Sequence, residues 1–209
     1  VVFMQGCPWA CPFCHNAAIR PILKENNFSW ELFVDFLKTR VGKLDAVTFS
    51  GGEPLVQDNL SAAIEEVKAL GFSIGLHTGG YRPDHLAKVL PLLDWVGMDI
   101  KAPFAAEPYK RITGVDHLSR VLQSLDLLLA SGIDFECRTT CDPRFLTTDD
   151  LWEIARSLKE KGVKKYFLQK YRPVDSDKIT TDEACERIFA DEELLQYLKN
   201  NFDDFEIRR

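Results

Sequence analysis

The chain reads as an α/β fold, a partial (β/α)6 barrel on a parallel sheet with outer helices. Three observations predict it. Short apolar runs of strand length alternate with helical stretches almost from end to end. Six such runs carry five or more crossover helices between them. Several runs end in polar residues sharing one face, as expected where a parallel sheet sets its functional loops at the carboxyl ends of its strands.

Each element follows from local signals. Residues 1–5 read as a first strand feeding a cysteine-rich loop. Ser29 is placed to cap a helix running to about Arg40, and 46–50 form a second strand. A helix over 59–70 stops at Gly71, a residue type suited to helix ends. A third strand covers 72–78, a helix lies near 83–90, and a fourth strand covers 95–100. A helix over about 117–130 and a fifth strand over 134–140 follow. Thr147 and Asp150 are spaced to cap a helix to Lys161, and 165–171 make a sixth strand. One helix from about Asp182 to Asn200 and a short tail, 205–208, complete the expected order.

Side chains alternate along a strand. Ala46, Thr48 and Ser50 therefore share one face of the second strand, with Val47 and Phe49 toward the helices. Gly97, Asp99 and Lys101 align in the fourth, Glu136, Arg138 and Thr140 in the fifth, and Phe167, Gln169 and Tyr171 in the sixth. Together these sets would line one polar cavity. An Asp99–Lys101 salt bridge of purely structural value would account for that pair alone.

Composition bounds the function. The 209 residues, 45% of them hydrophobic, fit a single domain over 1–209 with ample core. A formal charge of −6 argues against a broad nucleic-acid-binding face. No apolar run nears the ~20 residues that cross a bilayer, and the opening VVFMQG lacks the marks of a signal peptide, so no membrane association is expected. Cys137, Cys141 and Cys185 read as inert core thiols suited to a reducing cytoplasm. The chain opens without Met inside an expected strand, which suggests that its first residues are missing.

The most informative segment is GCPWACPFCHN, in which Cys7, Cys11 and Cys14 are spaced C-x3-C-x2-C with Phe13 before the last cysteine. Electron-carrying [4Fe–4S] clusters take four cysteines. Three thiolates leave one iron open to a substrate or cofactor. Zinc in a Cys3His site is the alternative, with His15 as fourth ligand, although His15 directly follows Cys14 and adjacent residues rarely converge on one ion. A disulfide with a spare thiol is unsupported by the rest of the composition.

FMQGCPWACPFCHN resembles the cluster loop of radical S-adenosylmethionine (SAM) enzymes, and its flanks resemble the branch that activates glycyl-radical enzymes. Ser50-Gly51-Gly52-Glu53-Pro54, by itself a turn signal, resembles the GGE motif of that family. The resemblance implies that Gly51, Gly52 and Glu53 receive the ammonium of SAM, and glycine lets backbone approach a ligand closely. Met98-Asp99-Ile100-Lys101 resembles the D-x-K element, implying that Asp99, Ile100 and Lys101 border the cofactor. Leu76-His77-Thr78-Gly79-Gly80 stands where the branch has Asp-Thr-Asn-Gly, so Thr78 keeps its match and His77 replaces an aspartate tied to monovalent-cation binding. Phe13, Cys14 and His15 would border the adenine. Tyr171 would stack on it, and Arg138 would join from the polar strand face.

The resemblance implies a [4Fe–4S] cluster and SAM as cofactors. Reductive cleavage of SAM would yield a 5′-deoxyadenosyl radical that takes hydrogen from a substrate. The thirty-five residues from His15 to Phe49 hold no cysteine, so the ferredoxin-like insertion of some activases is absent. The nearest resemblance is to activating proteins of anaerobic ribonucleoside-triphosphate reductase, with pyruvate formate-lyase activases next. The implied partners are a glycyl-radical enzyme and a flavodoxin- or ferredoxin-type electron donor. A radical SAM enzyme of deazapurine type acting on a small molecule is a third reading, and a non-enzymatic electron carrier a fourth.

Overall fold

A computed structural model describes residues 1–23, 28–175 and 177–209. Seven strands follow in chain order, β1 (Val2–Met4), β2 (Ala46–Gly51), β3 (Ser73–Thr78), β4 (Trp95–Asp99), β5 (Asp134–Cys141), β6 (Lys165–Lys170) and β7 (Asp204–Arg208). The β1–β2, β2–β3, β5–β6 and β6–β7 pairs are all parallel. The expected α/β class holds. The chain folds as two compact units, the first comprising residues 1–8, 16–97 and 120–134, the second 9–15, 98–119 and 135–209.

In the first unit, α1 (Trp30–Lys38) starts where the Ser29 side chain accepts the Leu32 N–H. Helix α2 (Leu60–Ala69) ends before Gly71, whose φ of +91° is the left-handed conformation that closes a helix. Val47 and Phe49 of β2 and Ile74 and Leu76 of β3 are buried with Ile64 and Val67 of α2, as side-chain alternation requires. Helix α3 (Pro83–Val89) carries Pro at its first turn, where no N–H bond is lost. Helix α5 (Leu118–Ser131) sends the buried Ser124 hydroxyl to the Gly80 carbonyl at 2.9 Å.

The second unit departs from the sequence reading in three places. Helix α4 (Ala106–Thr113) was not expected, because Pro108 reads as a breaker; it lies within the first turn, where a missing N–H costs nothing. The helix expected over 182–200 is two, α7 (Asp182–Arg187) and α8 (Glu192–Asn201). Asp191 interrupts it by capping α8, accepting the Leu194 N–H at 2.9 Å. The expected tail is the seventh strand β7, which pairs with β6 from Lys165↔Asp204 to Gln169↔Arg208. Helix α6 (Thr148–Glu160) has the reciprocal Thr147–Asp150 capping box its sequence announces.

Strand β7 is anchored by charge. Arg208 pairs through both terminal nitrogens with Glu136 of β5, at 2.5 and 2.8 Å, and its guanidinium lies 3.9 Å from the Phe167 ring centre. Glu136 is buried, so removing its partner leaves a desolvated carboxylate. Arg208→Ala should lower unfolding free energy by about 1–3 kcal/mol, read from urea denaturation. A neutral result would mean that β7 is held by backbone pairing alone.

Candidate functional site

The predicted site residues divide between the units. Cys7, Gly51, Gly52, Glu53 and Thr78 lie in the first, and Cys11, Phe13, Cys14, His15, Asp99, Ile100, Lys101, Arg138 and Tyr171 in the second.

In the first unit, the end of β2 is zipped to the segment leading into Cys7. Gly52 N–H donates to Met4 O and Glu53 N–H to Gly6 O, both at 2.8 Å. Gly6 and Cys7 in turn donate to Ile19 and Arg20 carbonyls at 2.8 and 2.9 Å. A Cβ on Gly52 would fall inside contact of Gly6 O and 2.8 Å from Gly6 C, and Gly51 has a φ of +108° with its Cβ position facing Met4 backbone. The two glycines were expected to admit a ligand. What they visibly admit is the chain's own backbone, one residue before the first cysteine.

Glu53 is also put to a use the sequence did not reveal. Its carboxylate is 1% exposed. Oε1 accepts from Leu55 N–H (3.1 Å) and the Thr78 hydroxyl (2.5 Å), and Oε2 accepts from Gly79 N–H (2.8 Å). Thr78 Oγ1 accepts from Gly80 N–H in turn. The pair buckles the carboxyl ends of β2 and β3 together. Within the chain, both residues act as support for the two strand ends. His77 bonds Ser50 Oγ through Nδ1 at 3.2 Å and sits edge-on to Trp95.

In the second unit, Cys14 N–H donates to Cys11 O at 3.2 Å, closing a turn that carries two thiols and the buried Phe13 ring. Cys11 is buried and Cys14 partly exposed, while His15 is exposed. Burial pushes the Cys11 thiol up, and the Lys101 cation opposes that shift. Asp99 accepts Arg138 Nε and Nη2 at 3.0 and 2.8 Å, with Lys101 Nζ 3.4 Å from its other oxygen. The structural salt bridge weighed for Asp99 and Lys101 is therefore present, and Arg138 orients Asp99 with a two-pronged contact. Ile100 is buried, and its N–H donates to Arg138 O at 2.8 Å.

Tyr171 is corrected. Its side chain is fully buried. The hydroxyl donates to Asp177 (2.9 Å) and accepts from Arg144 (2.8 Å), whose guanidinium carbon lies 4.8 Å from the ring centre. Arg144 also grips buried Asp142 at 2.6 Å. A ring so enclosed holds the loop after β6 and presents no face for an adenine.

None of the six cysteines is in a disulfide among the described residues, and Cys137, Cys141 and Cys185 are buried, as Cys11 is. Among the described residues no three His, Cys, Asp or Glu side chains converge where a single metal ion could sit. A cubane does not require such convergence, because each thiolate binds a different iron. The donor set therefore fits a [4Fe–4S] cluster: three thiols at a C-x3-C-x2-C spacing, with the Lys101 cation acting on Cys11 in the direction of the thiolate.

An α/β protein with three loop thiols and a glycine-rich second strand end defines an iron–sulfur class of enzyme. The sequence pattern of the Radical SAM superfamily matches residues 1–158, and the chain belongs to that superfamily. The family uses a [4Fe–4S] cluster together with SAM, and the protein is a radical SAM enzyme; the electron-carrier reading is set aside. A Methanocaldococcus jannaschii protein, provisionally named glycyl-radical enzyme activating enzyme MJ1227, is 31% identical over 186 residues. The match covers 84% of this chain and 74% of that protein. Streptococcus suis SuiB bound to SAM superposes with a TM-score of 0.77 at 14% identity, over 98% of this chain and 48% of its own. A domain of pyruvate-formate lyase-activating enzyme from Bacteroides vulgatus gives 0.61 at 16% identity, over 78% of this chain and 99% of its own. At these identities the two structures establish the radical SAM-type partial-barrel fold. No helix among the described residues is long and apolar enough to cross a membrane.

Two predictions follow from the geometry. Cys7→Ala, Cys11→Ala or Cys14→Ala should each abolish the cluster, whereas changes at Cys137, Cys141 or Cys185 should leave about four irons per reconstituted chain. An intact cluster in Cys11→Ala, or stoichiometric zinc in native protein, would refute the ligand assignment. Gly52→Ala should reduce iron content as well as SAM affinity, since its new methyl group presses on Gly6. Full iron loading with only SAM binding lost would instead make Gly52 a pure ligand-approach position.

Proposed function

We propose that the protein is an activase: it abstracts hydrogen from a glycine of a partner glycyl-radical enzyme, an anaerobic ribonucleoside-triphosphate reductase. The observation that carries this reading is the 31% identity over 84% of the chain with the M. jannaschii protein of that provisional name. The loop flanks QGC and CHN point the same way. A pyruvate formate-lyase-type partner is the second protein substrate consistent with the fold likeness.

When bound, the cluster and SAM supply the one-electron cleavage that generates the hydrogen-abstracting radical. The chain's own residues position and shield. The Cys7, Cys11 and Cys14 thiolates would hold three irons and leave the fourth for SAM. Backbone at Gly51–Gly52 and the Asp99–Lys101 pair would orient SAM, with Arg138 fixing Asp99 and the Glu53–Thr78 buckle fixing the glycines. Phe13 and the backbone at Cys14 and His15 would border the adenine. Chemistry of this kind asks the protein chiefly for orientation and exclusion of water. A flavodoxin or ferredoxin would deliver the electron.

Mixed anaerobically with candidate glycyl-radical enzymes, SAM and a low-potential reductant, the protein should raise a long-lived doublet in electron paramagnetic resonance. Deuterium placed on the partner glycine should appear in 5′-deoxyadenosine. Label arriving instead from a purine precursor, with no protein radical in any mixture, would replace the activase reading with the small-molecule one.

A further inference from the structure

The stretch 9–15 carries two of the three thiols, and two backbone hydrogen bonds tether it. Cys14 N–H closes a turn on Cys11 O, and Ala10 N–H donates to Thr113 O at 2.8 Å. Thr113 is the last residue of α4, the helix that sequence reading did not find. It is fully buried, and its hydroxyl lies 2.8 and 2.7 Å from the Tyr109 and Val115 carbonyls. Tyr109 is buried as well and accepts Lys101 N–H at 3.4 Å. Lys101 Nζ stands 5.3 Å from the ring centre of Trp9, which is 4% exposed.

The helix ends on Gly114, with φ +83°. A Cβ there would meet the Ala10 methyl at 3.3 Å. That separation is too close for a relaxed contact, so one side must yield. Ala10 immediately precedes Cys11. A displacement of the loop at this point is passed to a thiolate whose distance to its metal tolerates only about 0.2 Å.

We propose that the α4–Gly114 corner is a positioning element for the cluster-binding loop: Thr113 O and the bare Cα of Gly114 fix the height of Ala10, and through it Cys11. Gly114 is thereby a positioning residue for cluster retention, and it touches neither iron nor SAM. The inference rests on the three-thiol cluster reading.

A matched control lies in the same unit. Gly162 has a φ of +87° and nothing within 4 Å of its Cβ position. Gly114→Ala and Gly162→Ala therefore impose the same backbone strain, and only the first presses on the loop. Reconstituted holoproteins would be challenged with a ferrous-iron chelator, followed at the cluster absorption band, and compared by electron paramagnetic resonance after reduction. Gly114→Ala should release iron on the order of tenfold faster than wild type, in the range that loss of an orienting partner costs a metal site, with an altered reduced-cluster spectrum. Gly162→Ala should match wild type in both, although the two variants lose similar thermal stability. Adding Ala10→Gly to Gly114→Ala removes the opposing methyl and should restore slow release.

Equal release and spectra in the two single variants would overturn the proposal, as would failure of the Ala10→Gly rescue. Should Gly114→Ala not fold, Ala10→Pro, which deletes the N–H donated to Thr113 O, carries the same expectation and the same refutation. Wild-type protein that holds no cluster would instead sink the cluster reading itself, a separate outcome.

Discussion

Backbone-to-backbone contact between the end of β2 and the strand leading into the first cysteine is the constraint on which the first unit's chemistry rests. Two peptide N–H groups of the Gly-Gly-Glu run are spent on Met4 and Gly6 carbonyls, and the approach is closer than any side chain permits. The proposed ligand contact would thus fall on a segment that already makes a close chain contact. The Glu53 carboxylate adds a second tie by taking donors from both Leu55 and the β3 end. With three protein donors on a buried carboxylate, breaking the buckle would strand a charge in a poorly solvating place. Rigidity here is an outcome of satisfied polar groups.

The second unit achieves its order differently. Asp99 is fixed by the forked contact from Arg138, and Lys101 is shared between Asp99 and the face of Trp9. Cationic charge is thus held near the buried Cys11 thiol by an ion pair whose carboxylate is only partly exposed. Farther along, Arg144 draws Asp142, Tyr171 and Asp177 into one knot that fastens the loop after β6. Charge pairs in this half of the chain do the shaping that glycine does in the other.

Most of the architecture was legible because alternation and capping are local. The Ser29 cap, the Thr147–Asp150 box and the Gly71 stop all appear where their residue types predict. The misses were also local, and each had a visible signal. Pro108 in a first turn, Asp191 before a Glu-Glu-Leu run, and the alternation of Phe205 and Ile207 with charged neighbours mark α4, α8 and β7. The site was legible as a set of residue types and illegible in its wiring. No motif states that a glutamate will be consumed by backbone N–H groups, or that a tyrosine at a strand end will be enclosed by an arginine 27 residues away in sequence. Those facts depend on long-range packing.

The distribution of thiols carries a consequence for life with oxygen. Burial pushes Cys137 and Cys141 far above their ordinary pKa values, which leaves them as protonated, shielded sulfur. Oxidants act on thiolates that they can reach. Damage on exposure to air is therefore steered to the loop that builds the cluster, with Cys7 and Cys14 partly exposed there. The interior sulfurs stay out of any disulfide exchange with that loop. A protein that has lost its irons in air keeps its core chemistry intact, so reduction and fresh iron and sulfide have only one short segment to repair.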